Sequence, residues 1–226
     1  MLGDLSRARL VVRTGDGVQH ERRLDGPGAH DVGPLVVVVD ERSDGWAWAL
    51  AVPAGEPVHV TSVAVAWDAG PPGPDPRLFS NGYQSWTASR VRRLGVDLDP
   101  SNQAPVPALV REMHHADPAV APEGELRSEL VTVLALDGPL LLVGFLAGRE
   151  HDGTIRARLD GARVTVSAEA HLGGAVLAPG DQRPLHPVVL ASGDDAPELL
   201  AAWAQRVGDE GRARTASPFQ VGWCSW

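Results

Sequence analysis

A mainly β protein, built as a large antiparallel sandwich, is the fold class this sequence predicts, on three observations. Short apolar segments recur between Gly, Pro and Asp punctuation, as in a sandwich rather than in alternating strands and helices. Asp137-Gly138 and Asp160-Gly161 each separate two such segments, a strong hairpin signal. The 226 residues, 43% of them hydrophobic, suffice for one all-β unit with its own core.

In the first third, the segments Ala8–Arg13, Val18–Arg23, Leu35–Asp40, Trp46–Val52 and Val58–Trp67 are predicted strands. Within the last, the apolar set slips phase near Thr61-Ser62, which predicts a bulge or a change of buried face. Trp46 and Trp48 are two apart and share a face; beside Ala47, Ala49 and Leu50 they read as core rather than as a sugar-binding surface. The run Ala69-Gly70-Pro71-Pro72-Gly73-Pro74 has few backbone donors and must be a loop. It delivers the chain to Asn81-Gly82-Tyr83-Gln84-Ser85-Trp86, where Asn81-Gly82 suits a turn with positive φ and the following residues combine aromatic tables with amide and hydroxyl groups. That mixture suits a carbohydrate. From Asp97 to Glu125 the chain is irregular and rich in Pro and Asp, a length of loop that is functional or packed on another unit.

Arg127–Leu136, Leu140–Leu146, Ile155–Leu159, Arg163–Ala168 and Pro187–Ala191 complete the predicted strands. One helix follows, capped by Asp195, with Pro197 at its start, Leu199, Leu200, Trp203 and Val207 on one face, and Gly208 or Gly211 at its end. After Ser217-Pro218, the residues Phe219-Gln220-Val221 read as a short buried strand that runs into Gly222-Trp223-Cys224-Ser225-Trp226. An element so apolar, with no stop signal after it, is expected to continue, so these residues read as the front part of a longer protein.

The net charge of −9 and the scattered arginines exclude a nucleic-acid or anionic-membrane surface from the expectations. A single cysteine, Cys224, cannot form an internal disulfide or a thiolate metal site. The N-terminus lacks the apolar core of a signal peptide and no run reaches the length of a membrane span, so cytoplasm is the expected location. His114-His115 diverge in direction and have no carboxylate spacing to complete a metal site; an ordinary loop is expected. The pairs Glu150/Asp152 and Asp194/Asp195 read as solvated turn or cap residues.

Two motifs, in their order and separation, carry a resemblance. Gly222-Trp223-Cys224-Ser225-Trp226 resembles the first barrel strand of retaining α-galactosidases, and Asn81-Gly82-Tyr83-Gln84-Ser85-Trp86 is similar to the motif upstream of it in glycoside hydrolase family 36 and its raffinose-synthase-like relatives. The resemblance implies a β-supersandwich over residues 1–193, a helical linker over 194–216 and, at 217–226, the first strand of a (β/α)8 catalytic barrel. It implies that hydrolysis of terminal α-galactosides belongs to the intact parent. Retaining hydrolysis needs two carboxyl groups about 5–5.5 Å apart, which the family places on later barrel strands, so no catalytic residue is expected here and the chain alone should be inactive. Trp226 would stand at the active-site end of its strand, as a sugar wall or a barrel-core aromatic; Trp223 reads as packing. Cys224 and Ser225 replace the polar pair of other versions of the motif. Trp86, Tyr83 and Gln84 are the remaining candidates for substrate contact, with Trp86 open to the alternative of a sandwich–barrel anchor. No cofactor or metal is expected; the expected partners are an α-galactoside, the downstream barrel and a homo-oligomer in which a sandwich reaches its own or a neighbour's barrel. The alternative is a stand-alone sandwich that binds carbohydrate or another protein.

Overall fold

A computed structural model of the chain describes residues 8–83, 87–102, 116–117 and 119–214. Over these residues the protein is mainly β, with fourteen strands in two antiparallel sheets. The strands are β1 (Arg9–Thr14), β2 (Gln19–Arg23), β3 (Gly28–Val32), β4 (Leu35–Arg42), β5 (Gly45–Ala51), β6 (Val58–Gly70), β7 (Arg77–Ser80), β8 (Arg90–Arg93), β9 (Glu125–Glu129), β10 (Val131–Ala135), β11 (Leu140–Phe145), β12 (Asp152–Asp160), β13 (Arg163–Leu177) and β14 (Gln182–Gly193). One sheet runs β2-β1-β6-β13-β12-β9, the other β3-β4-β5-β14-β11-β10-β7-β8.

Alternation along these strands sends one side-chain set of each sheet inward. Leu10, Val12, Val63, Val65, Ile155, Ala157, Val166 and Ala168 meet Val37, Val39, Trp48, Leu50, Val143 and Leu190 in one shared core. Trp46 and Trp48 are 1% and 2% exposed, which settles them as core. Trp46 packs edge-on to Trp67 at 5.4 Å between ring centres, and the Trp48 indole N–H donates to the His186 carbonyl at 2.7 Å.

The expected bulge falls at Thr61. Arg13 pairs with Ser62 while Thr14 pairs with Val60, so Thr61 is the extra residue, and the buried set moves from Val58 and Val60 to Val63, Val65 and Trp67. Both Asp-Gly turns close hairpins, β10 to β11 and β12 to β13.

The predicted single strand over Arg127–Leu136 is instead two strands in different sheets. Leu130 takes φ 63°, the left-handed region, and ends β9 in the six-stranded sheet; β10 then joins the eight-stranded sheet. Strands β3, β7 and β8 were not predicted, because Gly28-Ala29-His30-Asp31-Val32, Arg77-Leu78-Phe79-Ser80 and Arg90-Val91-Arg92-Arg93 lack a long apolar alternation. β3 and β8 are sheet edges, where polar residues block further pairing.

Helix α1 (Ala196–Glu210) is capped as its sequence requires: the Asp195 carboxylate accepts the Glu198 N–H at 2.9 Å, Pro197 stands in the first turn and Gly211 ends it. Leu199, Leu200, Trp203 and Val207 cover a second apolar cluster of Val131, Val133, Leu142, Leu146 and Val189 on the outer face of the eight-stranded sheet. This explains the uninterrupted apolar run of β11, which is buried on both faces. Gly144 lets the indole of Trp203 approach, since a Cβ there would lie 2.6 Å from its nitrogen, and that N–H donates to the Phe145 carbonyl at 2.9 Å. No helix among the described residues is long and apolar enough to cross a membrane. The expected strand at 217–226 lies outside the described residues.

Candidate functional site

The chain leaves β7 at Asn81 and meets the point where β9 hands over to β10. Asn81 is tied to that corner by its backbone and its amide together. Its N–H donates to Ser128 Oγ at 2.7 Å, its Nδ2 donates to the Glu129 carbonyl at 2.8 Å, and its own carbonyl accepts the Glu129 N–H at 3.1 Å. Asn81 Oδ1 accepts from the Ser89 hydroxyl at 3.1 Å, and Ser89 Oγ in turn accepts the Gly82 N–H at 3.0 Å. The Tyr83 N–H donates to Thr87 Oγ1 at 2.9 Å, closing the loop on itself. Neither Asn81 nor Gly82 has positive φ, contrary to the expectation from the sequence. Gly82 is needed for space: a Cβ there would lie 2.0 Å from the Thr87 carbonyl oxygen.

Leu130 forms the other wall. A left-handed non-glycine residue costs roughly 1–2 kcal/mol, and here it is held by two backbone bonds, from the Leu130 N–H to the Gly153 carbonyl and from the Phe145 N–H to the Leu130 carbonyl, each 2.8 Å. The turn leaves a cleft of about 380 Å³ lined by Asn81, Gly82, Tyr83, Glu129, Leu130, Asp152 and Gly153. Its wall combines a half-buried tyrosine, the buried carboxylate of Glu129 and the exposed carboxylate of Asp152. Glu129 Oε2 accepts from Thr154 Oγ1 at 3.0 Å, and Thr154 Oγ1 lies 3.0 Å from His171 Nε2. The one hydroxyl proton of Thr154 goes to the carboxylate, so His171 Nε2 carries a proton and donates.

Beyond His171 the same outer face of the six-stranded sheet holds a charged cleft of about 330 Å³ bordered by Arg13, Asp117, Glu125, Arg156, Glu169 and His171. Its charges satisfy one another. Arg156 donates through Nε to Glu169 at 2.6 Å, through Nη1 to Glu125 at 2.9 Å and through Nη2 to Asp117, while Glu169 also accepts from Arg13 and from Ser62 Oγ at 2.6 Å. Burial alone would raise the Glu169 carboxyl, but Arg156, His171 and Arg13 hold it at about 2. Burial likewise opposes the Arg156 charge, and Glu169, Glu125 and Asp117 override it and raise its pKa. Deeper still, Arg127 Nη2 meets Asp99 Oδ1 at 3.0 Å and the Arg127 N–H meets Asp99 Oδ2 at 3.0 Å, fastening the segment after β8 to β9. This network ties Asp99 and Asp117, described residues between β8 and β9, to the sheet.

A third cleft, about 690 Å³, lies between the β1–β2 turn and the β5–β6 connection. Among the described residues, no Trp, Tyr or Phe lines it.

Of the residues the sequence singled out for substrate contact, Tyr83 lines the first cleft, while Gln84, Trp86 and Trp226 lie outside the described residues, as do Trp223 and His114-His115. Asp195 is the helix cap it was expected to be; Asp152, expected to be only a solvated turn residue, is exposed yet lines the cleft. Glu129 and Leu130 were missed because each stands within a stretch that reads as a strand, and only the break at Leu130 turns them to the cleft.

No protein-family model matches the sequence, and no curated protein matches it. Among solved structures, the chain is similar to the galactosidase domain of the alpha-galactosidase–sucrose kinase AgaSK, with a TM-score of 0.38 and 12% identity, over 86% of this chain and 31% of that one. It is also similar to two GH36 alpha-galactosidases from Geobacillus stearothermophilus. AgaB has a TM-score of 0.36 and 11% identity, over 82% of this chain and 30% of its own; AgaA has a TM-score of 0.34 and 11% identity over the same shares. The chain thus spans about a third of the length of these structures.

Proposed function

We propose that this chain is the non-catalytic sandwich part of a retaining α-galactosidase-like glycoside hydrolase and that the Asn81–Tyr83 corner is its carbohydrate-facing element. The observation that carries the reading is the cleft itself. Asn81, Gly82 and Tyr83, the described residues of the motif that resembles family 36, line it, with Tyr83 on the same wall as the carboxylates of Glu129 and Asp152. An aromatic face takes the C–H side of a pyranose, and carboxylates and amides take its hydroxyls. Gln84 and Trp86 follow directly in sequence and are proposed to extend the same surface, with Trp226 lining the galactosyl pocket in the parent. In this reading residues 1–193 are the sandwich, 194–216 the linker and 217–226 the first strand of the catalytic barrel.

The catalytic carboxylates are carried over from the resemblance to positions outside this chain. Within it, the buried carboxylates of Glu169 and Asp99 are engaged by arginines, which suits structure rather than proton transfer. The purified chain should therefore leave a nitrophenyl α-galactoside uncleaved while binding melibiose weakly, and Tyr83→Ala should abolish that binding. Turnover that disappears on mutating an Asp or Glu of this chain would overturn the non-catalytic assignment; tight melibiose binding by Tyr83→Ala would overturn the cleft.

A further inference from the structure

We infer that the stacked pair of His151 and His186 is an acid-sensitive latch on the Asp152 wall of the cleft, and that protonating the pair opens this wall while the sandwich stays folded. The latch stands on its own geometry; its effect on binding rests on the carbohydrate reading of the cleft. His151 ends the connection from β11 to β12, and His186 lies at a bulge of β14, where Leu185 pairs with Trp48 but Val188 pairs with Trp46. Both residues are buried, with ring centres 4.4 Å apart. Each ring accepts a backbone N–H through Nε2, His151 from His186 at 3.0 Å and His186 from Glu150 at 2.8 Å. The His151 Nδ1–H donates to the Asp152 carbonyl at 2.8 Å. Two ring lone pairs therefore pin the connection to β14, and one of these rings also grips the first residue of β12, which lines the cleft.

A proton on either Nε2 turns an acceptor into a donor that faces another donor, so the bond is lost and the two N–H groups repel. Charge on both rings adds repulsion at close range. The uncharged neighbours offer no acceptor: Phe145 of β11 packs edge-on to His151, and the Trp48 indole of β5 already occupies the His186 carbonyl. The titratable and charged groups around the pair are Arg183 on β14, His171 on β13, and Arg149, Glu150 and Asp152 along the connection and its exit. Burial first, then His186, His171 and Arg183, push His151 down to about 4 against the bond to the Asp152 carbonyl; burial and Arg149 lower His186 against Glu150. Much of the frame does not depend on these rings. The Leu146 N–H still donates to the Pro187 carbonyl at 2.9 Å beside the β11–β14 ladder, and the Gly153 carbonyl still accepts the Leu130 N–H. Beyond Gly153, β12 is held between β9 and β13, where Glu129, Thr154 and Glu169 form one cross-strand row. A charged His151 ring that turns to water carries Asp152 with it through the Nδ1–H bond, and the movement stops at Gly153.

The test is hydrogen exchange and melibiose titration of the 226-residue chain as a function of pH. After correction for the intrinsic pH dependence of exchange, the amides of Glu150 and His186 should lose protection between about pH 5 and about pH 3.5, while those of Val143 and Leu190, paired in the β11–β14 ladder, keep it. The Kd for melibiose should rise about twofold at about pH 4 and about fourfold at about pH 3.5, as the latched fraction falls with a group that titrates at about 4. The double variant His151→Gln with His186→Gln, whose amides donate and accept without titrating, should keep Glu150 and residue 186 protected and lose this rise; the pH dependence it retains belongs to carboxylates. Protection at Glu150 and His186 that disappears only together with Val143 and Leu190 overturns the latch, as does full protection at about pH 3.5, and neither result needs a variant to fold. If the two amides open but the wild-type Kd changes no more than that of the double variant, the coupling of latch to cleft falls. If the folded chain binds no melibiose at neutral pH, the carbohydrate reading falls, and the exchange pattern alone decides the latch.

Discussion

Arg156 Nε lies 2.6 Å from Glu169 Oε2 across adjacent strands of the six-stranded sheet, and the same guanidinium holds Glu125 and Asp117. Three carboxylates from β9, β13 and the segment before β9 therefore converge on one cation, with Arg13 also on Glu169 and Arg127 near Asp117. Removing the cation strands charge that is already desolvated, so Arg156→Met should cost about 3–5 kcal/mol in urea unfolding. Glu169→Gln should cost less, because Arg156 keeps its other two partners. Equal losses in the two variants would show that the network does not centre on Arg156.

Acid should destabilise the protein in two stages. Burial pushes His151 down to about 4, with its Nδ1 bonded to the Asp152 carbonyl and its Nε2 accepting the His186 N–H at 3.0 Å, a pattern only the neutral ring can make. Below about 6.5 the unfolded chain takes up a proton that the native ring refuses, so stability is full above that pH and falls by about 3 kcal/mol as the pH drops to about 4. The Glu169 carboxyl, lowered from 4.5 to about 2, adds a second loss as the pH falls through that lower window. Urea midpoints measured from pH 7 to pH 3 check this; His151→Gln should flatten the upper stage in part, because burial also lowers His171 and His186.

Gly82→Ala puts a Cβ against the Thr87 carbonyl oxygen, where 2.0 Å is available. The loop must shift, and the bonds from Gly82 to Ser89 and from Tyr83 to Thr87 shift with it. A stability loss of about 1–3 kcal/mol is expected, with loss of melibiose binding beyond what stability explains. Gly55→Ala, where nothing lies within 4 Å of the added carbon but φ is +144°, should cost stability without touching binding. Melting curves and titrations of the pair separate a shape effect at the cleft from general backbone strain.

The helix should be held by its face more than by its cap. Asp195→Ala removes one bond to the Glu198 N–H and should cost about 1 kcal/mol. Trp203→Ala empties the space over Gly144 and releases the Phe145 carbonyl, and should cost about 3–5 kcal/mol if the sheet does not close over it. Thermal unfolding of both variants gives the ranking.

The sequence by itself determined what depends on neighbours along the chain. Apolar segments between turn residues located β1, β2, β4, β5, β6 and β11 to β14, the phase slip at Thr61-Ser62 located the bulge, and Asp195 with the Leu199–Val207 face located the helix. Each is a local signal, because strand period, turn chemistry and capping are set within a few residues. Tertiary structure decided what depends on partners distant in the chain. The short strands β7 and β8 pair without a strong pattern of their own, and the break at Leu130 is dictated by Gly153 and Phe145 rather than by Leu130 itself. Glu129, Asp152, Thr154 and His171 come from three strands whose register alone brings them together, with Glu129 and Asp152 on the same cleft wall as Tyr83. A one-residue slip of β12 would turn Thr154 inward and dismantle the row, because side chains on a strand alternate between its two faces. That pairing is a property of the folded sheet, and no stretch of the chain contains it.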